Sequence, residues 1–335
     1  MGCVGALFKA ITYYGLQTCH TGVSAPGPIA AGAVSHEDSL QMRRMQARGQ
    51  SVVVTMFMEA AMADPVQSYN LLMDYTPPGA AFPDELVIVS GHMDSCAYWG
   101  GRDFDIARHC PLFRMHPTRP QRTTPPAGDL GEGAMDDGGG FITAWEAVRL
   151  LASLKIFTNR TIRAIGWVDE ESGGVGAVQY GKDYAATFPS TSFAMESDTG
   201  AFAIYGLSVT APASALAQLQ ALAPLLAPIG AGLGVQAGGD DTDEAVLCSA
   251  GVPCAALWPY DPRVGPAANN PCLPFSAALV PPSMPFSVSS GYMLYHHTDA
   301  DTVDKLDAGQ LQVVAAANAV WAASVANLPA LLPRA

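Results

Sequence analysis

The 335-residue sequence predicts an α/β protein with a mixed, mostly parallel sheet covered by helices on both faces. Short apolar segments of strand length alternate with segments that have helical spacing of apolar residues, which is typical of that class. Three of the apolar segments also end in acidic or histidine side chains. Open α/β sheets place their functional sites at the carboxyl ends of their strands, so this edge is the expected site.

The first 84 residues differ from the rest and read as short strands and turns. Residues 35–48 have the composition of a helix start and predict one helix, and the β-branched run at 51–58 predicts a strand. Pro77, Pro78 and Gly79 then indicate a turn or linker. We therefore predict a β-rich region over 1–84 and a larger domain over 85–335.

The larger domain carries the alternating pattern. Apolar or β-branched runs predict strands at 86–89, 161–168, 193–195 and 255–258. Helical spacing predicts helices at 141–155, 175–188, 213–226 and 308–333, and a short one at 243–250. Two long Pro- and Gly-rich segments, 97–132 and 259–291, predict loop insertions, which at this length are usually functional.

Charge and composition exclude several classes of partner. The net charge is −13 and no Lys/Arg cluster offsets it, which argues against nucleic acid and anionic membrane surfaces. The uncharged segment at 308–333 is interrupted by polar residues, so a packed helix is favoured over a membrane span.

The seven cysteines form no CxxC pair; unpaired thiols are the favoured interpretation, and a disulfide in an oxidising compartment is the alternative. No signal peptide is visible.

Several polar clusters lie at strand ends or in loops, and each alone is more typical of a solvated turn. They are His92 with Asp94, Asp136 with Asp137, Glu170 with Glu171, Asp198, and His296 with His297. Together they form the mixed nitrogen and oxygen ligand set that suits catalytic zinc. A pair of zinc ions about 3.5–4 Å apart needs a bridging carboxylate and further ligands for each ion. Five residues meet that count: His92, Asp136, Glu171, Asp198 and His297.

Other hydrolytic and nucleotide-binding chemistries lack their motifs. The sequence contains no GxSxG nucleophile elbow, no phosphate-binding lysine motif and no helical HExxH. The metal interpretation therefore has no competitor among these motifs.

Five motifs in order resemble the M28 zinc peptidases. They are SGHMDS at 90–95, GAMDDGGG at 133–140, DEESGGVGA at 169–177, MESD at 195–198, and His296-His297 followed by Asp301-Thr302. Residues 4–7 and 20–22 also look like the protease-associated insert of that family. The resemblance implies a zinc-exopeptidase-like catalytic domain over 85–335 and a partial protease-associated, β-rich insert over 1–84.

The resemblance also implies a role for each ligand and for the base. His92 and Asp198 would hold one zinc ion, Glu171 and His297 the second, and Asp136 would bridge the two. Glu170 would be the general base that takes a proton from a metal-bridging water, and the hydroxide would attack the carbonyl of a dipeptide or short peptide.

Outer residues of the site follow from the same motifs. Asp94 and Asp301 would accept hydrogen bonds that orient the ligand imidazoles, and the Asp136–Asp137 peptide bond would be cis. Candidate substrate contacts are His296, Thr242 and Asp243.

Two alternatives to a two-zinc exopeptidase remain open. One is a glutaminyl-cyclase-like transferase with a single zinc ion, against which the five ligands argue. The other is a truncated, non-catalytic relative, because family members carry a signal peptide, a prosegment and the opening of the catalytic domain ahead of the insert. The resemblance further implies a secreted or lysosomal protein that forms a homodimer.

Overall fold

The computed structural model describes residues 3–9, 29–57, 67–95, 114–117, 133–231, 234–239, 242–260, 292–298 and 300–334. The predicted insertions at 97–132 and 259–291 lie outside these ranges, apart from a short strand at 114–117 and the last residues of a strand at 259–260. The motif at 20–22 also lies outside them.

The N-terminal region forms a small unit of its own. Strand β1 (Gly5–Lys9) pairs in parallel with β2 (Ala30–Val34) in a two-stranded sheet. Helix α1 (His36–Ala47) follows, and it begins at Ser35, whose Oγ accepts the Asp38 amide at 3.1 Å. The helix prediction is confirmed; identification of the unit as a protease-associated insert stays a prediction.

The strand prediction at 51–58 is wrong for residues 51–57, which have no regular structure. Val53 is 89% exposed and Phe57 is 82% exposed. A β-branched run becomes a strand only where a neighbouring strand completes its hydrogen bonds, and within the described residues this segment has none.

The main sheet has eight strands in the described part of the chain. They are β3 (Tyr69–Tyr75), β4 (Phe82–His92), β5 (Arg114–Pro117), β6 (Arg160–Trp167), β7 (Thr191–Glu196), β8 (Ala203–Thr210), β9 (Gly234–Ala237) and β10 (Cys254–Tyr260), in the spatial order β5-β3-β6-β4-β7-β10-β8-β9. The central strands β6, β4, β7 and β10 are parallel, and β3 and β8 run antiparallel to them. The predicted mixed, mostly parallel sheet is thus confirmed. The main sheet begins earlier in the sequence than predicted, because β3 lies within residues 1–84, which were assigned to the N-terminal region.

Helices cover both faces of this sheet. They are α2 (Gly139–Ser153), α3 (Val175–Asp183), α4 (Ala213–Leu222), α5 (Ala245–Cys248) and α6 (Ala308–Ala326). Val87 and Val89 of β4 pack in one core with residues of α2, α4 and α6, whereas Leu86 and Ile88 pack in a second core with residues of α3 and α5. This alternation follows from the two-residue repeat of a strand.

Helices α3 and α4 end earlier than predicted. Each passes into a 3₁₀ turn, at Ala185–Ser190 and Ala223–Ile229, and both turns contain proline. Proline lacks the amide proton that an α-helix needs and clashes with the preceding turn, so the regular helix stops.

The apolar C-terminal segment forms α6 and packs into the core, as predicted. Trp321 and Val325 are fully buried against the sheet. Asp307 caps the helix by accepting the Gln310 amide at 2.9 Å. Among the described helices, none has both the length and the apolar character needed to cross a bilayer.

Cys248 and Cys254 form a disulfide that joins the end of α5 to the start of β10. The favoured expectation of unpaired thiols is therefore wrong for these two residues, because the turn at Gly251 brings them together. Cys3 is a free, exposed thiol. A disulfide indicates an extracellular or lumenal environment.

Candidate metal centre

Three neighbouring parallel strands bring the predicted ligands to one edge of the sheet. His92 is the last residue of β4, Glu171 lies in the turn after β6, and Asp198 follows β7. Strand β4 pairs with β6 on one side and with β7 on the other, so these three ends are adjacent. The sequence prediction that strand ends converge is thus confirmed.

Asp136 reaches the same edge from the turn that precedes α2. The turn spans Ala134–Gly138, and its Asp136–Asp137 peptide bond is cis, as the resemblance implies. The Asp137 carboxylate ties this turn to its surroundings, since Oδ2 accepts the His92 amide at 3.1 Å and Oδ1 accepts the Gly140 amide at 3.0 Å. A Cβ on Gly140 would lie 1.7 Å from the Ser197 carbonyl oxygen, so only glycine fits there.

The Asp136 carboxylate lies between two histidines. Its Oδ1 is 3.2 Å from His92 Nε2, and its Oδ2 is 3.1 Å from His297 Nε2. His92 Nε2 is also 3.2 Å from Asp198 Oδ1, and His297 Nε2 is 2.8 Å from Glu171 Oε2. These contacts connect the five predicted ligands through Asp136; how the five would divide between two ions stays a prediction.

These residues fit a metal site by burial and by donor chemistry. His92 is 1% exposed and Asp136 is 2% exposed. The buried oxygens Asp136 Oδ2 and Asp198 Oδ1 face imidazole nitrogens of His297 and His92 at 3.1 and 3.2 Å. Buried carboxylates are costly without a compensating positive charge, and a divalent cation would supply one. Among the described residues, the groups whose ligand atoms lie within 4.8 Å of one another are His92–Asp136–Glu171, His92–Asp137–Asp198 and Asp136–His296–His297.

The crowding of acids and imidazoles shifts the protonation of the centre. Burial lowers the pKa of His92, but the charge of Asp198 and a hydrogen bond to Asp136 outweigh it and hold that pKa well above its usual value. Burial raises the pKa of Asp198 well above its usual value. Metal binding requires the deprotonated form of each ligand, so cations would displace protons here.

Asp94 holds the turn that carries Glu170 and Glu171. Its carboxylate oxygens accept the Glu170 amide at 3.1 Å and the Glu171 amide at 3.2 Å. Burial raises the pKa of Glu170 to about 7, and the nearby charges of Glu171 and Asp94 add to the rise against the opposing effect of His92. A carboxyl group with this pKa can exchange protons near neutral pH.

The predicted imidazole-orienting role needs correction for Asp94 and stays a prediction for Asp301. His92 Nδ1 lies 2.8 Å from the backbone oxygen of Asp94, while the Asp94 carboxylate is 3.8 Å away and is occupied by the two amides. The oxygens of Asp301 accept the amides of Met135 and Asp136 at 2.6 and 3.0 Å. Both carboxylates thus position backbone, because loop amides near a buried site also need acceptors.

Of the candidate substrate contacts, His296 lies in the centre. Its ring stacks on His297 with centroids 3.6 Å apart, and its Nε2 is 3.4 Å from Asp136 Oδ2. Burial lowers the pKa of His296 to about 4, so the imidazole is neutral at pH 7.

Thr242 and Asp243 lie beside a buried acid that sequence reasoning missed. Thr242 Oγ1 donates to Glu196 Oε2 at 3.1 Å, and Asp243 is 3% exposed. Glu196 is fully buried at the end of β7. Its position at the end of an apolar run is the sequence feature that could have identified it as a residue of the site. Asp137 was noted in its motif but given no role, and no pattern distinguishes it from a capping residue.

Comparisons with known proteins identify the family of this chain. The model of "Peptidase family M28" matches residues 70–322. Carboxypeptidase Q of Pongo abelii is 30% identical over 338 residues, and that of Homo sapiens is 29% identical; each alignment covers 100% of this chain and 58% of the relative. The chain therefore spans less than two thirds of the length of these relatives.

Solved structures show the same fold. A peptidase M28 precursor from Shewanella amazonensis SB2B superposes with a TM-score of 0.73 at 25% identity, over 99% of this chain and 62% of that one. An aminopeptidase from Aneurinibacillus sp. strain AM-1 gives a TM-score of 0.51 at 16% identity, over 99% and 65% of the two chains, which is a likeness of fold alone. From its match to the family model and its similarity to carboxypeptidase Q along the whole of the given sequence, this chain belongs to the M28 metallopeptidases.

Proposed function

We propose that this chain is a co-catalytic two-zinc exopeptidase that hydrolyses dipeptides or short peptides, with Glu170 as general base. The observation that carries the proposal is the position of Asp136. One of its carboxylate oxygens faces His92 and the other faces His297, which is the arrangement that a bridging carboxylate requires.

Each metal position would have its own ligands beside Asp136. His92 and Asp198 would hold one zinc ion, and Glu171 and His297 would hold the second. When bound, such a zinc pair lowers the pKa of an attacking water and polarises the scissile carbonyl.

Glu170 has the properties of the proton carrier for this reaction. Asp94 fixes its backbone next to Glu171, and burial sets its pKa near neutral. Glu170 would accept a proton from the attacking water and then give it to the leaving amine. A carboxyl group with an ordinary pKa, of about 4, would be a weaker base for the first step.

The relatives and the disulfide bond support a substrate class and a cellular location for the enzyme. The relatives are named carboxypeptidase Q, which favours peptide substrates cut near a terminus. The Cys248–Cys254 disulfide favours an oxidising compartment, so secretion or a lysosomal location is part of the proposal. The proposal also includes a partial protease-associated insert over 1–84 and a homodimer.

The test is dipeptide hydrolysis and bound zinc in the wild type, Glu170→Gln and Glu146→Gln. Glu146 is the matched control, because it lies on the surface of α2 paired with Arg149. We expect Glu170→Gln to retain zinc and lose roughly 10²–10⁴-fold in kcat, and Glu146→Gln to behave as wild type. A Glu170→Gln protein with wild-type activity would contradict the proposal, and one zinc per chain without hydrolysis would favour the cyclase-like alternative.

A further inference from the structure

The turn after β6 is held by a side chain from β3, a strand that carries none of the proposed metal ligands. We call residues 168–176, which lead from β6 into α3, the β6 turn; it carries the proposed base and one proposed zinc ligand. Asn70 of β3 contacts both ends of this turn. Its Nδ2 donates to the Gly176 carbonyl at 2.8 Å, and its Oδ1 accepts the Val168 amide at 3.1 Å.

The sheet places Asn70 for this contact. Strand β3 pairs with β6 up to Leu71 and Gly166, so Asn70 lies where the ladder ends. Its side chain there supplies the hydrogen bonds that a further strand residue would supply. Asn70 is 2% exposed. A Cβ on Gly176 would lie 2.3 Å from Asn70 Oδ1, so this close approach needs glycine at position 176.

The carboxamide of Asn70 completes a residue pair at the base of the turn. The Gly176 amide donates to the Val168 carbonyl at 2.9 Å, and Asn70 binds the amide and the carbonyl of the pair that this backbone bond leaves over. Asparagine suits the position because it offers a donor and an acceptor on one planar group. Buried backbone groups without such partners are costly, so Asn70 holds the turn closed.

The backbone of the β6 turn depends on contacts of this kind. Asp169 has a φ of 64° and Gly174 has a φ of 65°, so both lie in the left-handed region. That conformation is unfavourable for an aspartate and persists where the surrounding structure holds it. Asp169 directly precedes Glu170, so a turn that relaxed would move the proposed base.

The same turn is held at its tip from the other side of β6. Asp94, just after β4, accepts the amides of Glu170 and Glu171 at 3.1 and 3.2 Å. Strand β6 lies between β3 and β4 in the sheet, so the two neighbouring strands each contribute one anchor. Asn70 fixes the base of the turn and Asp94 fixes its tip.

The position of the turn matters because its acids act together with groups from other parts of the chain. Glu171 Oε2, for example, lies 2.8 Å from His297 Nε2. A displacement of about 1 Å at a reacting group can cost about 100-fold in rate. A shift at the base of the turn would move Glu170 and Glu171 together.

We propose that Asn70 is a positioning residue of the metal centre: by closing the base of the β6 turn, its carboxamide sets where Glu170 and Glu171 lie relative to the other ligands. The inference rests on the proposed function and adds a residue that acts through the backbone of the turn. A side chain that only stabilised the fold would leave kcat per folded molecule unchanged.

The test compares the zinc-loaded wild type with Asn70→Ala, which removes both hydrogen bonds without adding bulk. We expect kcat per folded molecule to fall about 10–100-fold with little change in KM, because the base and one ligand shift while substrate binding is kept. Circular dichroism gives the folded fraction, and steady-state kinetics with a saturating dipeptide gives kcat.

Asn327→Ala is the matched control, because the Asn327 carboxamide makes the same pair of bonds at the opposite end of β6. Its Nδ2 donates to the Phe157 carbonyl at 3.1 Å, and its Oδ1 accepts the Asn159 amide at 3.1 Å. This variant should have a lower thermal midpoint and wild-type kcat and KM. An equal fall of kcat in both variants would overturn the inference.

Asn70→Asp is a second variant, which keeps the shape of the side chain and the bond to the Val168 amide. A carboxyl group donates to the Gly176 carbonyl only while it is protonated. Its kcat should therefore exceed that of Asn70→Ala, and its ratio to the wild-type kcat should rise as the pH is lowered below neutral. If Asn70→Ala does not fold, Asn70→Asp carries the test, and a kcat equal to wild type at alkaline pH would overturn the inference.

Two further readouts need no catalysis. In the zinc-free protein, amide hydrogen exchange across residues 168–176 should be faster in Asn70→Ala than in the wild type and unchanged in Asn327→Ala. Competition with a chromogenic chelator should show weaker zinc binding in Asn70→Ala, because Glu171 is displaced. Exchange and zinc affinity equal to wild type would overturn the inference.

These readouts separate the inference from the proposed function. If the wild type hydrolyses peptides and Asn70→Ala keeps its kcat, the inference fails and the proposed function stands. If the wild type hydrolyses nothing, while Asn70→Ala exchanges faster in the β6 turn and binds zinc more weakly, the proposed function fails and the placement of the two acids by Asn70 stands.

Discussion

Asp301 and Asp136 are joined by a hydrogen bond across 165 residues of sequence, in which Asp301 Oδ2 accepts the Asp136 amide at 3.0 Å. The other oxygen of Asp301 accepts the neighbouring Met135 amide at 2.6 Å. The C-terminal segment therefore fixes the backbone of the residue that faces both histidines. This bond couples the segment containing His297 to the turn before α2.

Asp301→Asn should weaken zinc binding about 10–100-fold, as loss of outer partners commonly does. An asparagine would direct an NH₂ group at one of the two amides, so the Asp136 backbone would shift. Competition with a chromogenic chelator measures the affinity. Asp304→Asn is the control, because Asp304 is 71% exposed and its contacts among the described residues are with its neighbours Thr302 and Lys305. Equal affinities in the two variants would refute this role.

Asp94→Asn should lower kcat about 10–100-fold with little change in KM. The Asp94 carboxylate holds the amides of Glu170 and Glu171, and the amide side chain can accept from only one of them. Steady-state kinetics with a saturating dipeptide measures the effect. The exposed Asp183→Asn serves as control, and an Asp94→Asn enzyme with wild-type kcat would show that the turn keeps its position without this acceptor.

The stability of the zinc-free protein should fall as pH rises from about 4 to 7. Burial raises the pKa of Asp169 to about 6 and that of Glu170 and Asp301 to about 7, whereas unfolded carboxyls titrate near pH 4. The folded chain thus holds more protons over this interval, and its free energy of unfolding decreases with pH.

Zinc should reverse this trend, because it binds the deprotonated carboxylates. Thermal midpoints should be measured from pH 5 to 8, once with a chelator and once with zinc. The increase in the midpoint that zinc produces should grow as the pH rises. A zinc-free protein that becomes more stable over this range would contradict the assignment of raised pKa values.

Arg160→Met should destabilise the fold by about 2–3 kcal/mol. The Arg160 side chain is 1% exposed, and its Nε donates to Glu85 at 2.7 Å. It also donates to the carbonyls of Ala326, the last residue of α6, and of Leu328 just beyond it. Urea denaturation measures the change in the free energy of unfolding. Arg149→Met, in an exposed ion pair on α2, should change the free energy of unfolding by less than about 1 kcal/mol. Equal changes in the two variants would mean that the buried contacts of Arg160 stabilise the fold no more than this exposed pair.

The central strands were predictable because they are buried on both faces. Parallel strands covered by helices read as continuous apolar runs, which is why the run at 86–89 lies within β4 and the run at 161–168 matches β6 to within one residue at each end. Strands β3 and β8 were missed, since a flanking strand is defined by its partner more than by its own sequence. The β-branched run at 51–57 is the converse case, with strand composition and no partner.

The positions of the proposed metal ligands were partly predictable from the neighbouring strands. His92 ends the apolar strand β4 and Asp198 lies just after β7, and this position brings them to one edge. The role of Asp137 could not be predicted, because its carboxylate acts on amides of β4 and α2 that only the folded chain brings near. The same holds for the backbone amides that the carboxylates of Asp94 and Asp301 accept.

Zinc bound per chain, in the wild type and in Asp136→Asn, tests the central claim most directly. Elemental analysis after dialysis against buffered zinc gives the count. A shared Asp136 predicts about two zinc ions in the wild type and fewer than one in Asp136→Asn, because one carboxylate serves both positions. A wild type with one ion or none, or an Asp136→Asn protein that retains two, would contradict a bridged two-zinc centre.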